Sequence, residues 1–234
     1  MTHQGKAVEQ SPEAELTLAE LNEGRSYMYQ WFSQQYQAEL TEDQWQALAG
    51  GELSPFFELL AENGLAVEVQ DYTDAVAQLH KEFGAKARIV LASDFAHAFL
   101  LSGRESAMPY ASAYDPDAEG LLYGAMAEVM KQFLAGAGLG LAKDFKEPED
   151  HLAIYLAILS HMAGSATGGD IPVMLMEQNR FIDEALVPWL PAFVEKCQTL
   201  GLQTEVYPAL ARLLAAFLAQ DQQFLAANAT VTAE

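Results

Sequence analysis

The chain has 234 residues, about half of them hydrophobic, enough to bury roughly 70–75% of its unfolded surface in one domain or two packed halves. Its formal charge is −21, from 33 acids against 12 bases, which argues against nucleic acid and anionic membranes and favours a neutral or basic partner. Cys197 is the only cysteine, so one chain can form neither an internal disulfide nor a multi-thiolate metal site, as suits a reducing cytosol.

In chain order, residues 1–11 are polar and lack the basic start, apolar run and small-residue cleavage site of a secretory signal, so a flexible tail is expected. Helical punctuation follows. Ser11 with Pro12, the capping box from Thr41 to Gln44, Ser54 with Pro55, and Asp115 with Pro116 each precede apolar residues at helical spacing. The pattern predicts helices over 12–38, 42–49, 55–62, 71–83, 85–101, 117–135, 148–163, 171–185, 187–200 and 205–227, with almost no strand signal. The expected fold class is all-α, a helical bundle of about ten helices; no fixed-period repeat points to a solenoid.

The stretch from Ala135 to Gly140, with three glycines, divides the expected domain over 12–228 into an N-terminal half (about 12–134), a hinge (about 135–147) and a C-terminal half (about 148–228). Such a joint allows one protomer to lend its C-terminal half to another, in a homodimer swapped at Gly136–Gly140. The glycines also form Gly136-x-Gly138-x-Gly140-x-x-Lys143. A phosphate cradle needs a strand before its glycines and a helix straight after. Here a helix precedes and a spacer follows, so a helix end and linker fit better than a nucleotide site.

The C-terminal half opens with Phe145 to Met162, where acid, proline and histidine crowd the start of an apolar helix. Pro148 suits a first helical position, and Glu149 and Asp150 place negative charge on first-turn N–H groups. Leu152, Tyr155, Leu156 and Leu159 form one face and Ile154 and Ile158 another, so this helix is predicted to be buried all round. The uncharged run continues to Gly169, but Ser160, His161 and Gly164 interrupt it, short of the roughly 18–20 apolar residues of a membrane span.

Enzyme chemistry finds little support. No paired Glu-x-x-His motif suggests a di-iron centre, and His3, His80, His97, His151 and His161 contain no His-x-x-x-His pair. No Gly-x-Ser-x-Gly elbow is present, and Cys197 sits in an ordinary helix. No catalytic, cofactor-binding or metal-ligating residue is therefore assigned. Tyr27, Met28, Trp31 and Phe32, and later Met126, Met130, Met174 and Met176, suit either core packing or an adaptable apolar groove. Met108 to Pro116 is a loop by its prolines, and its Tyr110 and Tyr114 are placed to line a peptide groove.

Two of these segments carry a family resemblance. Glu147 to Leu152 reads Glu-Pro-Glu-Asp-His-Leu and resembles the Glu-Pro-x-Asp-His-Leu signature of the TorD/DmsD/NarJ-type chaperones that mature bacterial molybdoenzymes. Tyr110 to Tyr114 resembles their Tyr-x-Ser-x-Tyr loop, and the likeness runs from about Asn22 to about Ala227. Glu147 to Met162 is most similar to the TorD branch; Tyr155 departs from the family, many members of which carry an acid shortly after the signature.

The resemblance implies an all-α chaperone of the cytoplasm, not an enzyme. It would bind an apo-molybdoenzyme, trimethylamine-N-oxide reductase for this branch, together with its twin-arginine signal peptide, and assist molybdopterin insertion before export. The client-binding residues it implies are Tyr110, Ser112, Tyr114, Glu147, Pro148, Asp150, His151 and Leu152. Asp150 would be an anionic contact or hinge anchor, with His151 as its hydrogen-bonding neighbour. Pro148 and Leu152 would set the helix start, while Tyr110, Ser112 and Tyr114 would line the groove. The alternatives are a chaperone of dimethyl-sulfoxide or nitrate reductase and a switch taking a guanine nucleotide at the glycine-rich joint.

Overall fold

The computed structural model describes residues 17–101, 103, 105–116, 124–141, 145–166 and 170–229. Helices follow in the order α1 (Leu18–Gln37), α2 (Glu42–Ala49), α3 (Ser54–Leu60), α4 (Ala66–Phe83), α5 (Ala87–Phe95), α6 (Ala125–Gly136), α7 (Leu152–Ser165), α8 (Ile171–Ala185), α9 (Leu190–Thr199) and α10 (Val206–Ala229). The protein is all-α. Short π and 3-10 turns join α3, α4 and α5 into one kinked run over 54–100, so the described residues form eight continuous helices, not the ten expected.

The kinks have local causes. Asn63 and Gly64 leave helical geometry, Gly64 at φ 96°, and the Gln220 side chain of α10 donates to the carbonyl of Asn63. The bend therefore keeps its polar backbone partnered, and the helix resumes at once. At the N-terminus, Thr17 caps α1 in a capping box: Thr17 Oγ1 accepts from Glu20 N at 3.3 Å and Glu20 Oε2 accepts from Thr17 N at 2.8 Å. The expected helical residues 12–16 and 117–123, and Lys143 of the glycine pattern, lie outside the described residues. Gly138, at φ 66°, closes α6: Leu139 N donates to Leu134 O at 2.9 Å and Gly138 N to Ala135 O at 3.2 Å, a Schellman stop.

The core is built on α7 and α10. Helix α1 lies along α7, while α10 packs against α4, α8 and α9, so helices from both sides of the 135–147 joint share one interior. Leu152, Ile154, Tyr155, Leu156, Ile158 and Leu159 are all buried, as the apolar circumference of α7 requires. Small hydroxyls hold α1 close to α7: Ser26 Oγ donates to Ser160 O at 2.8 Å, Ser160 Oγ to Ser26 O at 2.9 Å, and Ser33 Oγ to Ala153 O at 2.8 Å. Among the described residues no helix is long and apolar enough to cross a membrane.

Two buried acids fasten this frame. Asp94 of α5 accepts from Gln203 N at 2.9 Å, Thr204 N at 2.8 Å and Thr204 Oγ1 at 2.8 Å, pinning the turn before α10. Asp221 of α10 takes a bidentate pair from Arg25 of α1, Nε to Oδ1 at 2.5 Å and Nη2 to Oδ2 at 2.8 Å. Tyr29 also donates to Asp221 Oδ2, at 2.5 Å, and Arg25 donates to Asn22 Oδ1 and to Gln178 Oε1 of α8, both at 2.8 Å. Arg25 and Asp221 are both buried, so removing one strands the other in a medium that solvates charge poorly.

Arg25→Ala is therefore expected to lower the unfolding free energy by about 3–5 kcal/mol in urea denaturation. The paired apolar replacement Arg25→Met with Asp221→Leu should recover much of that loss. A single-variant loss below about 1 kcal/mol would mean that the pair is solvated and does not hold the helices.

Candidate functional site

The two segments singled out by resemblance meet in space, clasped by their backbones. After α5 the chain turns back, with Ala107 N donating to Ala98 O at 2.7 Å, and reaches the start of α7. There Ala111 N donates to Asp150 O at 3.0 Å and Leu152 N to Pro109 O at 2.7 Å, an isolated antiparallel bridge centred on Tyr110 and His151. The Leu152 N–H, one of the first amides of α7, is thereby satisfied by the loop.

Asp150 completes the clasp with its side chain. Its Oδ2 accepts from Ser112 N at 2.8 Å and from Ser112 Oγ at 2.5 Å, holding the helical turn over Ala111–Tyr114. Among the described residues Oδ1 meets no donor, so only one of the two buried carboxylate oxygens is partnered there. This corrects the expected start of α7. Residues 148–150 form a turn, with His151 N donating to Pro148 O at 3.1 Å; the helix begins at Leu152, and the Asp150 carboxylate serves the loop and not the first-turn N–H groups.

His151 takes the N-cap position instead. Its Nδ1 accepts from Ala153 N at 3.1 Å, which leaves the proton of the neutral ring on Nε2. The ring lies edge-on to Tyr110 at 4.9 Å and to Phe145 at 5.7 Å between centroids. Burial lowers its pKa from 6.5 to about 4, so His151 is neutral at pH 7. Tyr110 reaches outward, its hydroxyl donating to Glu147 Oε2 at 2.6 Å. Tyr114, half-buried, stacks on Trp189 at 5.9 Å and meets Phe193 edge-on at 6.1 Å.

All eight residues implied by the resemblance thus gather around one junction, yet most lie inside it. Ser112, Asp150 and Leu152 are 0% exposed, and Tyr110, Pro148 and His151 are buried. Glu147 is exposed and Tyr114 keeps a partly open ring. Asp150 is closed off from solvent, with its side chain held by Ser112. Phe145 and Trp189, which back His151 and Tyr114, were missed in the sequence, where each is an unremarkable aromatic.

One helical turn beyond His151, Tyr155 opens onto a groove of about 690 Å³ between α6, α7 and α8. Met126, Met130, Phe133, Ile158, Met162 and Phe181 line it, and Glu177, Arg180 and Glu184 stand at its rim. Tyr155 fills the position where an acid was anticipated from the family pattern; burial, and then the nearby Asp150, raise its hydroxyl pKa, so this wall is neutral. Of the aromatic and methionine positions flagged in the sequence, Met126 and Met130 enter this groove. Met28, Trp31 and Phe32 are core, whereas Tyr27 and Met176 are exposed. Cys197 is buried and its thiol pKa is pushed up by desolvation, the opposite of a poised nucleophile.

The nitrate reductase delta subunit family model matches residues 62–195. A TorD chaperone from Psychrobacter sp. (strain PRwf-1) is 35% identical over 206 residues, 87% of this chain and 92% of its own. A TorD chaperone from Vibrio cholerae serotype O1 (strain ATCC 39541) is 38% identical over 213 residues, 88% of this chain and 93% of its own. A third, from Escherichia coli O139:H28, is 34% identical over 198 residues, 84% and 94% of the two chains. These relatives are named as chaperones, not as enzymes.

The buried His151 makes stability depend on pH. Because its folded pKa is depressed, the unfolded chain takes up this proton first; the group's stabilising effect is full above pH 6.5, shrinks as pH falls toward about 4 and is gone below that. Over that window wild type should lose about 3 kcal/mol more than His151→Asn, which keeps a cap acceptor without the titration. Urea midpoints at several pH values would show it; parallel curves for the two proteins would place His151 in contact with solvent.

Proposed function

The chain belongs to the TorD/NarJ chaperone family, and from that premise we propose that it is a cytoplasmic chaperone for an apo-molybdoenzyme, trimethylamine-N-oxide reductase, and for that enzyme's twin-arginine signal peptide. The observation that carries the reading is identity to TorD chaperones over 84–88% of the chain. The clasp residues that carry the family resemblance also occupy one structural unit here.

The physical character of the chain supports the same partner. A signal peptide of this kind has a basic start and an apolar middle; a chain with 33 acids and 12 bases, and a methionine-bearing apolar groove, complements both. Within the proposal, Glu147 and the open edge of Tyr114 face the client, while Ser112, Asp150, His151 and Leu152 hold the loop that presents them. No bond is made or broken. The chaperone binds the incomplete enzyme better than the finished one, so it stabilises the state that accepts molybdopterin and releases the client once the cofactor is in.

The test is recovery of the client. Tagged protein expressed in bacteria that make several molybdoenzymes should retain trimethylamine-N-oxide reductase, identified by mass spectrometry and lacking molybdopterin. Retention of dimethyl-sulfoxide or nitrate reductase instead would reassign the client within the family. Recovery of no molybdoenzyme, or only of the cofactor-loaded enzyme, would contradict the chaperone reading.

A further inference from the structure

Between α3 and α4 the sequence holds its only Asn-Gly step, Asn63 followed by Gly64. Both residues are exposed and both leave helical geometry, Asn63 at φ −92° and ψ 24° and Gly64 at φ 96°. Asparagine is among the chemically labile side chains, and a glycine after it leaves the next amide nitrogen unshielded by any Cβ. Asn22, Asn179 and Asn228 each lie inside a helix and precede a residue that carries a Cβ. The bend is therefore where this chain is most open to attack on its own side chain.

Two hydrogen bonds hold the reacting atoms apart. Asn63 Nδ2 donates to Leu59 O at 2.7 Å, which ties the side-chain amide to the preceding turn. Gln220 Nε2 of α10 donates to Asn63 O, which fixes the peptide plane. At ψ 24° that plane turns Gly64 N away from Asn63 Cγ, so the two meet only after rotation about both the backbone and the side chain. A Cβ at residue 64 would stand 3.2 Å from Gln220 Nε2; the glycine that bares the amide also admits its guard. Both bonds are exposed, and bonds of that kind open far more readily than the core unfolds.

We propose that Asn63 is a self-modification site, guarded by Gln220, at which the chain converts asparagine to isoaspartate without an enzyme. The Gly64 amide gives its proton to solvent base and its nitrogen attacks Asn63 Cγ. A C–N bond forms and closes a cyclic imide, the Cγ–Nδ2 bond breaks, and Nδ2 leaves as ammonia. Water then adds to either imide carbonyl. At Cγ it restores the ordinary backbone with aspartate; at the backbone carbonyl carbon it breaks the original peptide bond, and the chain runs on through Cγ as isoaspartate. Water is the one co-reactant, and nothing is oxidised or reduced. Both products lose the donor to Leu59 O and gain a negative charge, and isoaspartate also lengthens the backbone by a methylene. Gln220 adjoins Asp221, so its released contact lies beside the residue that holds Arg25.

The full chain, kept in warm, mildly alkaline buffer, is sampled over time, digested and mapped by mass spectrometry, with isoaspartate assayed by enzymatic methyl transfer to its carboxylate. Asn63 should convert ahead of Asn22, Asn179 and Asn228. Gln220→Ala and Gln220→Met should each speed its loss about fivefold, the factor set by one hydrogen bond of ordinary net strength. The acceleration should be confined to Asn63, which separates a lost guard from general unfolding. Conversion at Asn63 no faster than at the other three asparagines would overturn the site. Equal rates at Asn63 in wild type and both Gln220 variants, or equal acceleration at all four asparagines, would overturn the guarding role.

Discussion

The buried pair of Arg25 and Asp221 is the constraint on which the rest of the molecule depends. A guanidinium presents a rigid fork of donors and cannot shed its charge, so wherever it is buried its neighbours must be placed to accept. Here those neighbours come from α1, α8 and α10, with Phe224 lying against the guanidinium at 5.1 Å. Apolar packing alone tolerates sliding of one helix on another; a bidentate charge pair with further acceptors does not. Fixing α1 against α10 in turn fixes α7, which α1 lies along, and α7 carries both the clasp and one wall of the groove.

From that frame the functional surface follows by adjacency. The start of α7 is held from outside by the loop over 106–116, through two backbone bonds and the Ser112 grip on Asp150. One turn later the same helix turns Tyr155 toward α6 and α8. The residues that make the family recognisable are mostly buried and hold a surface in shape, while Glu147 and the open edge of Tyr114, proposed to face the client, lie at its margin. A sequence signature dominated by buried polar groups is what such a division produces, since a buried carboxylate tolerates few replacements and an apolar groove tolerates many.

Much of the fold was legible in the chain. The capping box at Thr41 marks the start of α2 as expected, and the uncharged circumference of α7 predicts its central burial. What escaped was long-range. Arg25 and Asp221 are 196 positions apart, although each is a single charge on an otherwise apolar face, Arg25 in line with Tyr29, Phe32 and Tyr36 and Asp221 with Leu214, Leu218 and Leu225. That spacing announces a buried charge but not its partner. The run over 54–100 was expected as three separate helices; local spacing does not show Gln220, far along the chain, which partners the Asn63 carbonyl where the helix bends at Gly64. Asp150 was assigned to its own helix because local geometry is all that spacing can show, and Ser112 is the competitor that takes it.

On the proposed reading, the buried residues of the signature support the client-binding surface and stay closed while it is used. Hydrogen exchange at the amides of Ala111, Ser112 and Leu152, which donate to Asp150 O, Asp150 Oδ2 and Pro109 O, reports on the clasp directly. With the chain saturated by the signal peptide, the account predicts that these three amides stay as protected as in the free protein, or become more so. Loss of their protection on binding would contradict it, because the clasp would then be a latch that opens to expose Asp150 and His151 to the client.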